Sequence, residues 1–234
     1  METFRNRTVY LFMVLACLLS IPYFGGFRNI INESLQQGVT SEELRALIQQ
    51  LLSRVFETLP WVLGMVICSV FSAYSIAMDK AKRTLESLLA TPLSLRQIWL
   101  GKSLAVALPG VAVGLLISLL SLLAMNLMFV APAIGSFIMP SALSLLTGLI
   151  IVPLMAFLVV SLVGLIQLIV TDPRIANFVF IVAFLAVYIS TFTDLLPSGN
   201  LTVAYLITIA FLAALTLSLS RFLTKERVVL SSKG

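Results

Sequence analysis

The sequence predicts an all-α, polytopic membrane protein with six transmembrane helices and both termini on the cytoplasmic side. Three observations lead there. Of 234 residues, 60% are hydrophobic and only 11% are charged, too few charges to clothe a soluble domain of this length. The apolar residues gather into six runs, at approximately 8–27, 59–78, 103–130, 141–170, 175–193 and 201–220, each long enough to cross a hydrocarbon core about 30 Å thick as a helix. None of the runs alternates polar with apolar residues as barrel strands do. Helices then remain the way to satisfy backbone groups within lipid. The whole chain, 1–234, reads as a single transmembrane domain.

The first run follows Arg5 and Arg7 and superficially fits a secretory signal, but it lacks a small-residue cleavage pattern and further runs follow, so it reads as a retained span. After it comes the one long outside segment, Arg28 to Thr58. Thr40-Ser41-Glu42-Glu43 forms a capping box, Glu43 standing three residues after the Thr40 cap. Leu44, Leu47, Ile48, Leu51, Leu52, Val55 and Phe56 then recur at helical spacing, with Arg45, Gln49, Gln50 and Arg54 on other faces. This predicts an amphipathic helix over 41–57, lying on the outer leaflet or packed over the bundle, as a connector or as a cap over an exit path. It leads into the second span near Pro60 and Trp61.

The loop 79–102 reads DKAKRTLESLLATPLSLRQIWLGK. Leu85, Leu88 and Leu89 make a short apolar face. Thr91-Pro92 interrupts the helix, because proline disfavours a helical residue before it. Ser94 and Gln97 form a second capping box that restarts a helix into the third span. Such a helix-break-helix, apolar on one side and charged on the other, is shaped to dock on a partner or on lipid headgroups. The fourth run holds 30 residues, about 45 Å as a helix, so it tilts, protrudes or kinks; Gly148 and Pro153 are the kink sites. A short turn, Thr171 to Arg174, precedes the fifth run, and Asp194 to Asn200 separates the fifth from the sixth.

Orientation follows from the basic residues. With the amino terminus inside, the cytoplasmic segments carry Arg5, Arg7, Lys80, Lys82, Arg83, Arg96, Lys102, Arg174, Arg221, Lys225, Arg227 and Lys233, against Arg28, Arg45 and Arg54 outside. That asymmetry satisfies the positive-inside rule. It also gives the net charge of +5 a topological meaning, with no nucleic-acid partner implied.

Several chemistries are excluded. There is no histidine, and the two cysteines, Cys17 and Cys68, are isolated in apolar runs. Neither a Cys/His metal pattern nor a disulfide framework results. No GxxxxGK[ST] sequence is present to cradle nucleotide phosphates. The third and fourth runs hold no ionisable residue, whereas proton relays and ion sites in membranes use them. The chain reads as no enzyme, binding neither metal nor cofactor of its own, and work done through it must draw on a partner. The mild polar content, such as Asn126, Ser161 and Gln167, suits interhelical hydrogen bonding. The densest clusters, Ser69, Ser72 and Ser75 in the second run with Tyr188 and Thr191 in the fifth, are the candidate lining of a substrate path.

Asp79 through Lys102 resembles the signature of the ABC type-2 exporter permease family. The matching residues are Asp79, Lys80, Thr84, Leu85, Glu86, Leu88, Leu89, Thr91, Pro92, Ser94, Arg96, Leu100, Gly101 and Lys102. Arg83 stands where the family commonly has glycine, and Ala81 where a second acid is common. The resemblance implies the transmembrane subunit of an ATP-driven exporter in the cytoplasmic membrane. Two such chains, identical or not, would pair and bind two copies of a separate ATPase that holds the ATP and Mg. Thr84 to Leu89 would be the coupling helix, with Arg83, Thr84, Leu85, Glu86, Leu88, Leu89, Thr91, Pro92 and Arg96 facing the ATPase. It also implies, in many relatives, a re-entrant hairpin before the last span, for which Asp194 to Asn200 leaves little room. The rival readings are a secondary transporter or channel without an ATPase, and a scaffold subunit that transports nothing.

Overall fold

Every described element of the computed structural model is helical; it describes residues 7–81, 92–169 and 201–221, with side chains chiefly in 23–68, 92–168 and 202–221. In order these are α1 (Arg7–Gln36), α2 (Ser41–Ala81), α3 (Leu95–Met125), a π turn at Asn126–Val130 and the short α4 (Ala131–Ile134). Then come α5 (Ala142–Leu146), a second π turn at Thr147–Ile151, α6 (Val152–Ile169) and α7 (Leu201–Ser220). Among the described residues, four helical stretches are long and apolar enough to cross a membrane: Ser41–Cys68, Leu95–Ile134, Ala142–Leu168 and Thr202–Ser220. The expected first run lies in α1, which continues to Gln36. The expected fifth run 175–193, the turns on either side of it and residues 82–91 lie outside the described residues.

The boundary between α1 and α2 is made by local chemistry. Gly38 takes a left-handed φ of 69°, the conformation that closes a helix and that glycine adopts without a Cβ penalty. The Gln37 and Val39 amides fold back onto the Glu33 and Ser34 carbonyls. Two residues later the capping box forms as the sequence predicts. Thr40 Oγ1 accepts from the Glu43 amide at 3.4 Å, and the Glu43 carboxylate accepts from the Thr40 amide at 3.2 Å.

The amphipathic helix and the second span turn out to be one helix. α2 runs unbroken for 41 residues with Pro60 inside it, roughly 60 Å and twice the hydrocarbon thickness, so its first turns project beyond the membrane. Proline deprives the Phe56 carbonyl of its usual donor, but the buried face continues past it through Leu44, Ile48, Leu52, Phe56, Leu59 and Leu63. That face packs against Phe27 and Ile31 of α1 and Leu122 and Met125 of α3, with Val130 beside them. Of the two placements the sequence left open, the structure has the helix packed over the bundle.

α2 packs most extensively on α3, and glycines set the distance. Gly110 and Gly114 lie one turn apart on α3. A Cβ on Gly114 would stand 2.8 Å from the Gly64 amide nitrogen, and one on Gly110 would collide with Cys68 Sγ. Backbones this close are what small residues at four-residue spacing permit in membrane helices. Around the contact, Leu63, Met65, Val106, Met155, Val159 and Val163 form the main core.

Each π turn ends two residues before a proline, Pro132 and Pro153 respectively. A proline ring crowds the carbonyl four residues back, and a wider turn relieves that crowding. The turns are closed by Ala131 N–H to the Asn126 carbonyl and by Val152 N–H to the Thr147 carbonyl. The candidate kink site at Gly148 and Pro153 carries a π turn, and a matching one occupies the end of the expected third run. Gly148 sits where a Cβ would lie 2.7 Å from the Phe56 carbonyl oxygen, the same carbonyl that Pro60 leaves without a donor. The outward faces of α3 and α7 expose Leu104, Leu108, Leu116, Leu120, Ile207, Phe211 and Leu217, a surface suited to lipid rather than water.

Candidate functional site

Residues 82–91 connect the end of α2 to the start of α3, and both helix ends therefore lie at one end of the bundle. Of the residues expected to meet a partner, Arg83, Thr84, Leu85, Glu86, Leu88, Leu89 and Thr91 lie outside the described residues. Pro92 and Arg96 are described and are exposed. Between them Ser94 caps α3 in the predicted way: its hydroxyl accepts from the Gln97 amide at 3.3 Å, and the Gln97 side chain accepts from the Ser94 amide at 2.9 Å.

One turn further, the start of α3 is tied to α6. Trp99 is buried with Leu165 and Leu168, and its indole N–H donates to the Ser161 carbonyl at 2.8 Å. Ser103 lies against Gly164, where a Cβ would approach its hydroxyl to 3.3 Å. A buried indole hydrogen bond between two helices fixes their relative rotation as well as their distance. The start of α3 is thus tied to α6 at its first buried turn.

Ser69, Ser72 and Ser75 belong to α2, but their side chains, with Tyr188 and Thr191, lie outside the described residues. Asn126, fully buried, uses its amide on the backbone: it donates to the Leu122 carbonyl at 3.1 Å and accepts from the Ile138 amide at 2.9 Å. It thereby clasps the connection from α4 to α5.

At the opposite end of the bundle there is a polar pocket of about 350 Å³. α2 contributes Gln50, Arg54 and Glu57, the start of α5 contributes Ser141 and Ser144, and α7 contributes Thr202. The walls are cross-linked. Ser53 Oγ accepts from the Ser141 amide at 2.9 Å, and the Ser141 and Ser144 hydroxyls are 2.7 Å apart. Thr147 and Thr202 join their hydroxyls at 3.0 Å. Glu57 is only 8% exposed; Ser144 hydrogen-bonds its carboxylate, and Arg54 supplies the opposing charge. Sequence reasoning did not single out this constellation. Its one signal was Glu57, the sole acid between Glu43 and Asp79 and three residues after Arg54, a spacing that puts both on one helix face. Among the described residues no group of Cys, His, Asp or Glu is arranged to hold a metal ion.

No curated protein and no solved structure matches the chain. A family model described as ABC-2 family transporter protein matches residues 4–183, a stretch that takes in the segment between α2 and α3, both π turns and the α2 side of the pocket. The chain belongs to the ABC-2 family of transporter proteins, as a multi-pass membrane subunit of an ABC transporter.

Proposed function

We propose that this chain is the permease half of an ATP-driven exporter of the cytoplasmic membrane. It crosses six times with both termini inside, works as a dimer of permeases and draws on a separate ATPase that holds ATP and Mg. The observation that carries this reading is the loop between α2 and α3. It keeps the family's Thr84-Leu85-Glu86, Leu88-Leu89 and Thr91-Pro92 in order, and it leads into a capped helix whose Trp99 is hydrogen-bonded to α6. An apolar face of Leu85, Leu88 and Leu89 buries against the ATPase, while Glu86 and Arg83 orient it by charge. Closure of the ATPase pair then moves α2 and α3 as packed bodies, and α6 follows α3 through Trp99.

Copurification from the native membrane tests this directly. The wild-type chain is expected to retain a P-loop ATPase, and Leu89→Asp to lose it. Retention of no ATPase by the wild-type chain, or unchanged retention by Leu89→Asp together with Glu86→Lys, defeats the reading.

A further inference from the structure

The pocket opposite the coupling loop has a composition that transport by helix movement does not require. It pairs a cation with a buried acid, Arg54 and Glu57, inside a wall of hydroxyls and amides. A ligand carrying only one charge would meet attraction from one of these groups and repulsion from the other. A zwitterion presents an opposite charge to each of them. Arg54 and Glu57 stand at i and i+3, so their side chains begin about 5–6 Å apart on one helix face, where one small headgroup can meet both.

The surface beside the pocket identifies the rest of the molecule. Leu143 lines the pocket and is 55% exposed. From it an exposed apolar stripe continues through Leu146, Ile150 at 62% and Leu154, at helical spacing along α5, the second π turn and α6. The stripe runs from a polar pocket towards the middle of the bundle. Polar at one end and apolar along its length, the feature matches a lipid with its headgroup in the pocket and its chains along the stripe. Its level agrees with the sequence pattern: Glu57 is the last charged residue of α2 before the apolar run that begins near Leu59.

We propose that this pocket is a binding site for a phospholipid with a primary-amine zwitterionic headgroup. Arg54 holds the phosphate, the Glu57 carboxylate accepts from the ammonium, and Gln50 with Thr202 lines the rim. Placement of the site in the outer leaflet rests on the proposed topology, whereas binding itself does not.

The experiment uses the purified full chain, without any ATPase, in nanodiscs of mixed phosphatidylethanolamine, phosphatidylcholine and phosphatidylglycerol, with native mass spectrometry of the lipid retained after release. Phosphatidylethanolamine is expected to be retained at least tenfold above its bulk ratio to phosphatidylglycerol. Phosphatidylcholine, with no ammonium hydrogens to donate, is retained less. Arg54→Gln and Glu57→Gln each remove the preference; the latter keeps a side chain able to bond Ser144. Arg45→Gln, exposed elsewhere on α2, leaves it unchanged. Should the charge variants fail to fold, Gln50→Trp fills the mouth and is expected to lose the same lipid while keeping its thermal midpoint. Equal retention of phosphatidylglycerol, unchanged preference in the folded variants, or free phosphoethanolamine displacing all retained lipid at equal concentration would overturn the lipid site. Because no ATPase is present, a negative result here leaves the exporter reading untouched, and failure to copurify an ATPase leaves this site untouched.

Discussion

A methyl group placed on Gly114 would stand 2.8 Å from the Gly64 nitrogen and 2.9 Å from its Cα. Both are backbone atoms with no rotamer to yield, so Gly114→Ala must separate α2 from α3. Its expected cost is about 1–3 kcal/mol, the usual penalty for overpacking, read as a lower thermal midpoint in detergent. Gly101→Ala, with nothing within 4 Å of the new carbon, is the control and should hold or slightly raise that midpoint. Trp99→Phe keeps an aromatic ring, though a smaller one, and loses the donor to Ser161. About 1 kcal/mol of stability should go with it, and under the proposed coupling role the effect on function is larger: ATP hydrolysis persists in the assembled transporter while transport falls. A fall in both by the same factor would reduce Trp99 to a packing residue.

Among whole elements, the helix starts are where sequence and structure agree best. Thr40 with Glu43 and Ser94 with Gln97 could be read from residue identity and spacing, because a capping box is decided within four residues. Thr40→Ala should cost about 1 kcal/mol. The Thr40 donors also hold the Glu43 carboxyl, on the projecting turns of α2, below its ordinary 4.5. The folded state therefore binds this proton less readily than the unfolded one. The contribution is present above the ordinary carboxylate range and is lost as pH falls through the lowered value, and Glu43→Gln should flatten that part of the acid melting profile. Other features lay beyond local reading. Pro60 looks like an entrance to a span, yet α2 passes through it because the face from Ile48 to Leu63 is buried without a gap. Pro153 marked a kink site, but that it is met by a π turn, with Gly148 lying close against Phe56 of α2, is not decided within the local sequence. The pocket is further still from local pattern: Gln50, Arg54, Glu57, Ser141 and Thr202 become neighbours only through the packing of α2, α5 and α7.

At the scale of the whole molecule, the charge asymmetry predicts which end faces which compartment. In a chain with Cys17 and Cys68 replaced by Ala, Gln49→Cys should react with an impermeant maleimide in intact cells, and Ser94→Cys only after permeabilisation; the reverse pattern would invert the topology and, with it, the side on which an ATPase can dock. The unbroken length of α2 then acquires a mechanical meaning. A close backbone contact with α3, at Gly64 and Gly114, lies partway along it, with roughly 35 Å of helix towards Ser41 and roughly 25 Å towards Ala81 at 1.5 Å per residue. A continuous helix pivoting on that point is a first-class lever. Under the proposed coupling, an inward swing of the Ala81 end would become an outward and somewhat larger swing of the Ser41 end, and a smaller one at Gln50, Arg54 and Glu57, which stand only about 10–20 Å from the pivot; the glycine pair would be the fulcrum on which the two ends of the molecule exchange motion.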